Sequence, residues 1–382
     1  MSDGARYAGA VLTIDLAAVR RNYRSLRSRL GPRVRCAAVV KADAYGLGAR
    51  YVAPALHAEG CRDFFVAHLE EGLSLRPHLP AAPIYVLNGL PIGGGAECIN
   101  AGLVPVLNSV AQAEAWSRCA RALGRRLPAV IQIDSGMNRL GMTERELSRW
   151  VAAGSQFAGI DVQFVMSHLA CADARLHAAN AMQIAKFQRL AQNFPGSLLS
   201  LANSAGVFLG GDFHFDLVRP GSALYGINPL PGQANPMRAV VRLNARVIQI
   251  RDIDKGAHVG YGWDFCAEGP LRLATLSIGY ADGLHRVLGK NGAVYCDGRA
   301  LPIVGRVSMD SITIDISELP RDRIVPGSEV EVIGDHQSVD DLAEAMGTIG
   351  YEVLTSLGRR FERNYLGATD VSSPEFAGEL LS

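Results

Sequence analysis

The first 230 residues alternate short apolar runs with longer amphipathic segments, as expected of a chain that alternates strands and helices. The apolar runs are CAAVVKAD, RDFFVAH, APIYVLNG, LVPVLNS, PAVIQIDSG, DVQFVMSH, SLLSLANS and FDLVRPGS. Helical patterns such as 109–123 and 172–194 separate most of them, and Asp15 is placed to cap an earlier helix that Gly31 would end. This alternation predicts an α/β fold with a (β/α)8 barrel, and a doubly wound open sheet is the alternative.

The pattern changes after Pro229, where the segment NPLPGQANP indicates a linker. Beyond it, β-branched residues alternate with polar ones in AVVRLNARVIQI, LRLATLSIG, RALPIVGRVSM, SITIDIS and SEVEVIG. These runs predict a mostly β domain with two short helices, at 339–346 and 351–357. We therefore expect a barrel over 1–232, whose first ten or so residues are candidates for pairing with the second domain, and a β-rich domain over 233–382.

The composition argues against several classes of protein. The 38 basic and 37 acidic side chains leave a net charge of +1, which provides no excess for binding nucleic acid or an anionic membrane. The seven cysteines are scattered and form no C-x-x-C pair, which argues against disulfides or a zinc site and is typical of the reducing cytoplasm. We find no signal-peptide pattern and no apolar run of about 18 residues, so we expect a cytoplasmic protein without a membrane span or a metal.

Lys41 ends the very apolar run AAVVK, where a lysine either extends its amine to the surface or has a function. The glycines Gly46 and Gly48 would let the backbone approach a ligand, and Tyr45 offers a hydroxyl nearby. At the mouth of a barrel the low dielectric would lower the pKa of the lysine, and a neutral amine can attack an aldehyde. The other polar residues that follow strands and would gather at this mouth are Arg139, His168, Ser204 and Arg219.

The segment VVKADAYGLGA resembles the cofactor-lysine motif of alanine racemases, the fold-type III amino-acid racemases that use pyridoxal phosphate. Further similar segments follow in order: IDSGMNRLGM, MSHLACAD, LANSAG, VRPGSALYGINP, VGYGWDF, IGYADGL, VGRVSMD and YEVLTSLGRRFERNY. The resemblance implies a barrel followed by a β domain, bound pyridoxal 5'-phosphate, and racemisation of alanine in a homodimer with active sites at the interface. It also implies supply of D-alanine for peptidoglycan, or its breakdown, and leaves open a serine or broad-specificity racemase.

Racemisation needs proton transfer on both faces of a planar carbanion, and one lysine reaches only one face. The resemblance assigns the first face to Lys41 and the second to Tyr261 of the partner subunit, with His168 and Arg219 following in a hydrogen-bonded chain. From the residues alone, Tyr261 is equally a strand tyrosine beside turn glycines, and His168 a core histidine bonded to backbone. A tyrosine has an ordinary pKa near 10, so it must be tuned to serve as a base.

By the same resemblance, Arg219 faces the pyridine nitrogen of the cofactor, where a permanently charged arginine cannot readily protonate the ring. The alternative for Arg219 is a buried ion pair with Asp216. The remaining cofactor-binding residues that the resemblance implies, all at the phosphate, are Tyr45, Ser204, Gly221, Ser222 and Tyr351. Ser204 could instead cap a helix after the seventh strand.

The substrate-binding residues that the resemblance implies are Arg139, Met309, Asp310 and Tyr280. Arg139 and the backbone N–H of Met309 would meet the substrate carboxylate, and the alternative for Arg139 is a surface salt bridge with Glu144 or Glu146. The bulk of Tyr351 would favour alanine, although a few methylenes discriminate by only about 1–3 kcal/mol each.

Three positions depart from many relatives. Gln132 stands where many relatives carry a carbamylated lysine, so Arg139 must be oriented in another way. Leu284 replaces a tyrosine, and Ser308 replaces a cysteine before Met309. None of these changes removes a required base. Two other classes remain as alternatives: decarboxylases of basic amino acids, whose acidic ring partner and cysteine acid are not evident here, and a non-catalytic barrel that binds the cofactor.

Overall fold

The computed structural model describes residues 7–153 and 158–367, which form two compact units. We call residues 19–238 the barrel unit, and residues 7–18 together with 239–367 the β unit. The predicted limit at 232/233 lies a few residues before the second division, and as a domain boundary it stays a prediction. No helix in the described ranges is long and apolar enough to cross a membrane.

Eight parallel strand positions form the barrel unit, one in each predicted apolar run. The strands are Arg35–Cys36 with Ala38–Val39, Phe64–Val66, Ile84–Val86, Val104–Leu107, Leu127–Gln132, Ile160–Met166, Leu198–Ser200 and Leu217–Val218. Neighbours in this order pair in parallel from Ala38–Val39 to Leu198–Ser200. The last strand pairs with Arg35–Cys36, and Asp216 N donates to Leu199 O at 3.0 Å. The ring of strands is therefore closed, which confirms the (β/α)8 barrel and excludes the doubly wound sheet.

Helices cover the outside of the parallel strands, as the amphipathic segments predicted. The α-helices before residue 230 are Leu16–Arg27, Ala49–Ala58, Leu69–Leu75, Gly95–Asn100, Val110–Ala122, Glu144–Ala153 and Ala178–Ala191, with short 3₁₀ turns at Arg76–His78, Ala205–Phe208, Gly211–Phe213 and Ser222–Tyr225. Asp15 caps the first helix, because its Oδ1 accepts from Ala18 N at 2.8 Å. The helix predicted over 172–194 begins only at Ala178, where the His177 side chain accepts from Ala179 N.

The β unit is built on one branched sheet. Its strand order is Arg299–Pro302, Ala293–Cys296, Glu329–Ile333, Val241–Ile253, Ala10–Asp15 and Glu362–Leu366, with Leu271–Leu276 beside Val241–Ile253 and Ile312–Asp315 beside Leu271–Leu276. A separate hairpin pairs His258–Val259 with Phe265–Cys266, and the α-helices are Leu288–Asn291, Val339–Met346 and Gly350–Ser356. The N-terminal strand Ala10–Asp15 buries every second side chain and pairs with Val241–Ile253 and Glu362–Leu366. The expected pairing of the first ten or so residues stays a prediction, because residues 1–6 lie outside the described residues.

Candidate active site

Lys41 stands at the carboxyl end of the first barrel strand and opens an unusual turn. The four residues after it have φ between 52 and 56°, which is a left-handed helical turn built without glycine. Each such residue costs about 1–2 kcal/mol, so the turn must be held by its surroundings. The backbone N–H of Ala42 donates to Glu71 Oε1 at 2.6 Å, and Asp43 Oδ1 accepts from Ala49 N at 2.7 Å. Strain of this kind is concentrated at functional sites.

The charge state of Lys41 departs from that of a surface lysine. Burial lowers the pKa of its amine, the positive charge of Arg139 lowers it further, and Glu71 opposes the shift. A lowered pKa makes the neutral, nucleophilic amine more abundant. The structure therefore favours the functional interpretation of Lys41 over that of a surface amine.

The loops after the seventh and eighth strands meet beside the turn that follows Lys41. Ser204 Oγ accepts from Gly221 N at 2.9 Å and from Ala223 N at 3.2 Å, so its hydroxyl does not cap the following helix. The residue before it, Asn203, accepts from Gly206 N through its Oδ1 at 2.9 Å. A Cβ on Gly221 would lie 2.4 Å from the hydroxyl of Tyr45, which only glycine allows.

These contacts build a cradle of backbone N–H groups and hydroxyls at the mouth of the barrel. Ser222 is almost fully buried at the start of the next short helix, whose N-terminal N–H groups face the same loop. Such groups suit an anion like a phosphate. Sequence reasoning missed Tyr225, whose ring lies 4.7 Å from the ring of Tyr45 and whose hydroxyl donates to Val39 O at 2.9 Å.

Arg219 is only 3% exposed, and its partners within the described residues are neutral. Its guanidinium donates to Ser200 Oγ and, at 2.6 Å, to Ser167 O. The alternative ion pair with Asp216 is not formed, because that carboxylate accepts from Leu199 N at 2.8 Å. Burial lowers the pKa of Arg219 to about 9, so the group is still a cation at neutral pH. A buried cation without an acid calls for an acceptor from a ligand.

His168 lies among the cations of the mouth. Burial and the positive charges of Arg219, Arg139 and Lys41 together lower the pKa of its imidazole to about 3. The side chain is therefore neutral near pH 7. Its backbone carbonyl accepts from Gln183 Nε2 at 3.0 Å. These interactions bring the predicted residues of the barrel mouth together.

The loop that carries Arg139 is held by hydrogen bonds at both ends. Asp134 Oδ1 accepts from the N–H groups of residues 136, 137 and 138 at 2.9–3.1 Å. At the other end, Gln132 Nε2 donates to Leu140 O at 3.3 Å. Neither predicted salt bridge of Arg139 forms, because Glu144 pairs with Arg189 and Glu146 accepts from Thr143. Arg139 is thus exposed at the mouth with its guanidinium available.

The β unit carries the other predicted residues on its surface. The exposed fractions are 70% for Tyr261, 53% for Met309, 42% for Tyr280 and 40% for Tyr351. The segments of Tyr280 and Met309 are bonded to each other, since Ala281 N donates to Met309 O at 3.0 Å. Asp310 pairs with Arg360 at 2.6 Å, a contact that no sequence signal indicated. Tyr261 lies at the tip of the hairpin, between its strands His258–Val259 and Phe265–Cys266.

Comparisons with known proteins agree along nearly the whole chain. The family model described as the N-terminal domain of alanine racemase matches residues 14–229, and the C-terminal domain model matches residues 240–365. A protein of Mesorhizobium japonicum named "Alanine racemase, catabolic" is 56% identical, and "Alanine racemase" of Brucella canis is 50% identical. Each match covers 94% of both chains.

Solved structures agree with the fold as well. The alanine racemase of Bartonella henselae with covalently bound pyridoxal phosphate has a TM-score of 0.90 and 44% identity, over 94% of this chain and all of that one. The biosynthetic alanine racemase of Pseudomonas aeruginosa has a TM-score of 0.86 and 38% identity, over 94% of this chain and 99% of that one.

Proposed function

Since this chain belongs to the alanine racemase family, we propose that it interconverts L-alanine and D-alanine with pyridoxal 5'-phosphate held on Lys41. The observation that carries the proposal is the mouth of the barrel, where an amine of lowered pKa lies near a buried arginine without an acid partner. The enzyme would supply D-alanine for peptidoglycan, or it would consume D-alanine in catabolism.

The residues of the mouth fit this cofactor. The guanidinium of Arg219 contacts no carboxylate in the described part of the chain and can donate to the pyridine nitrogen, and Gly221 leaves the room that a Cβ would fill. We assign the phosphate to the hydroxyl groups and N–H groups of Tyr45, Ser204, Gly221, Ser222 and Tyr351. Pyridoxal phosphate, when bound, withdraws electrons from the α-carbon and so makes its proton removable.

The protein's own groups move that proton. Lys41 Nζ, with its lowered pKa, takes or returns the proton on one face of the α-carbon. The hydroxyl of Tyr261 of the partner subunit does so on the other face. A neutral His168 can hold that hydroxyl by a hydrogen bond without adding a charge. Arg219 completes the catalytic set, because it stays protonated near pH 7 and so does not readily give its proton to the ring.

The substrate carboxylate is assigned to Arg139, whose guanidinium has no acid partner among the described residues. Met309, Asp310 and Tyr280 of the β unit are proposed to complete the substrate site. The exposure of Tyr261 supports a homodimer in which each subunit supplies a base to the other. The seven free cysteines support a cytoplasmic location.

The test follows optical rotation with L-alanine, L-serine and L-lysine offered separately to the purified enzyme. We expect alanine to be the fastest, and Tyr261→Phe to keep the cofactor's colour while losing at least about a hundredfold in rate. Tyr295→Phe, in the same unit, is the matched control and should racemise alanine normally. Full activity of Tyr261→Phe would end the two-base assignment, and faster turnover of lysine would end the substrate assignment.

A further inference from the structure

The hairpin that carries Tyr261 is fixed at its base but has a strained tip. Val259 is buried with Leu273 and Val304, and Phe265 packs against this cluster. The tip, residues 260–264, has positive φ at Gly260, Gly262 and Trp263. Two of these are glycines, but a bulky tryptophan at φ 54° is disfavoured. The conformation of the tip must therefore be held by contacts of its own.

The first contact is a stack between His258 and Trp263. The two rings are 4.7 Å apart and inclined by 13°, and His258 Nδ1 donates to Trp263 O at 3.2 Å. The indole is 70% exposed, so burial in a core does not hold it. His258 therefore contacts both the side chain and the carbonyl of Trp263, the residue with the disfavoured φ. Trp263 lies two positions after Tyr261 in the chain.

The second contact holds the residue that follows Trp263. Arg306 Nη2 donates to Asp264 Oδ1 at 3.0 Å, and its Nε donates to the other oxygen. The guanidinium lies directly against the backbone of Gly262, where an added Cβ would be 2.8 Å from Arg306 Cζ. The three residues after Tyr261 are therefore held in place, while the side chain of Tyr261 stays exposed.

We propose that the His258–Trp263 stack is a positioning device for Tyr261, so that inversion at the α-carbon depends on it while proton exchange on the Lys41 face does not. The inference rests on the proposed function, because it assumes that Tyr261 is the second base. Neither His258 nor Trp263 is assigned to touch the substrate. Both act through the geometry of the tip, which sets where the tyrosine hydroxyl stands.

The test compares inversion with exchange in the cofactor-loaded enzyme. Each alanine enantiomer is incubated in D2O, loss of the α-proton is followed by NMR, and inversion is followed by chiral chromatography. For His258→Ala we expect the rate of inversion to fall about tenfold. The enantiomer whose α-proton faces Lys41 should still exchange that proton within about twofold of the parent rate. Trp263→Ala should behave in the same way, and Trp263→Tyr, which keeps a stacking ring, should restore most of the inversion.

A similar stack in the same unit supplies the matched control. His336 and Tyr295 lie 6.1 Å apart at 15°, away from the hairpin in sequence, and His336→Ala should leave both rates unchanged. In the double variant His258→Ala/Trp263→Ala, the loss of inversion rate should be no larger than in either single variant, because each single substitution already removes the stack. Hydrogen exchange of peptide 257–266 gives a readout without substrate, and its amide protons should exchange faster only in the hairpin variants.

The outcomes separate this inference from the proposed function. If Tyr261→Phe inverts alanine normally, the two-base assignment of the proposed function fails, and this inference fails with it. If Tyr261→Phe is inactive but His258→Ala inverts at the parent rate, only the positioning role is refuted. A parallel loss of inversion and of exchange for both enantiomers would also refute it, because that pattern indicates general damage to the site.

Discussion

The side chain of His168 is neutral because of its surroundings. A histidine has an ordinary pKa near 6.5, whereas burial and the cations Arg219, Arg139 and Lys41 lower the pKa of this one to about 3. The strand end at His168 was readable from the sequence, but the three cations come from other strands. The same holds for Arg219, because Asp216, its partner in the alternative interpretation, accepts from Leu199 N instead.

The lowered pKa predicts how stability changes with pH. Between about pH 6.5 and 3 the unfolded chain binds a proton at His168 that the folded protein does not, so stability falls as the pH falls through this window. The cost is about 1.4 kcal/mol per pH unit. We expect His168→Gln to lose less stability than the parent between pH 7 and 4.

Urea unfolding at a single protein concentration measures this difference, because the stability of a dimer depends on concentration. Identical pH slopes for the parent and His168→Gln would show that the imidazole is not held neutral by its surroundings.

At the scale of elements, the left-handed turn after Lys41 is the feature that local propensity missed. Alanine and aspartate favour right-handed helix or turn, and nothing in the letters ADAY indicates four residues of positive φ. The turn exists because Glu71, on another helix, accepts from its first N–H group. By contrast, the helix predicted near 339–346 forms over Val339–Met346, where Ser338 and Asp341 make a capping box with the backbone of the first turn.

The loop between Gln132 and Arg139 leads to a second prediction. Gln132 stands where many relatives have a charged, modified lysine, and its amide donates to the carbonyl of Leu140, next to Arg139. We expect Gln132→Leu to raise the KM for alanine about five- to tenfold with kcat little changed, because loop order supports binding of the carboxylate.

Gln163→Leu is the matched control for this variant. Gln163 lies on the neighbouring strand, and its amide donates to Asp161 of that same strand. Loss of this amide should therefore leave the KM for alanine unchanged. Steady-state kinetics in both directions decide the matter. Equal KM values for the two variants would mean that Arg139 is oriented without Gln132.

At the scale of the whole molecule, the proposed bases lie on different units of the chain. Lys41 belongs to the barrel unit and Tyr261 to the β unit, and we propose that the second comes from the partner subunit. Lys41→Ala and Tyr261→Phe, each inactive alone, should therefore complement each other in mixed dimers. Random reassortment makes half of the dimers mixed with one intact site each, so about a quarter of the parent activity should return.

Lys41→Ala mixed with Arg219→Ala is the control, because both changes lie in the barrel unit and leave no intact site. Co-expression with two tags and measurement of racemisation per dimer provide the readout. If mixing Lys41→Ala with Tyr261→Phe restores nothing, Tyr261 acts within its own subunit.

The sequence by itself determined the eight barrel strands, the lysine at the end of the first one and the change to a β-rich part, because apolar periodicity and chain order are local properties. Tertiary structure alone decided the left-handed turn, the neutral His168 and the neutral hydrogen-bond partners of Arg219 among the described residues. It also placed the N-terminal strand beside Val241–Ile253, with Leu12 opposite Leu243. Each of these depends on groups far apart in the chain, whose burial and charge exist only once the chain has folded.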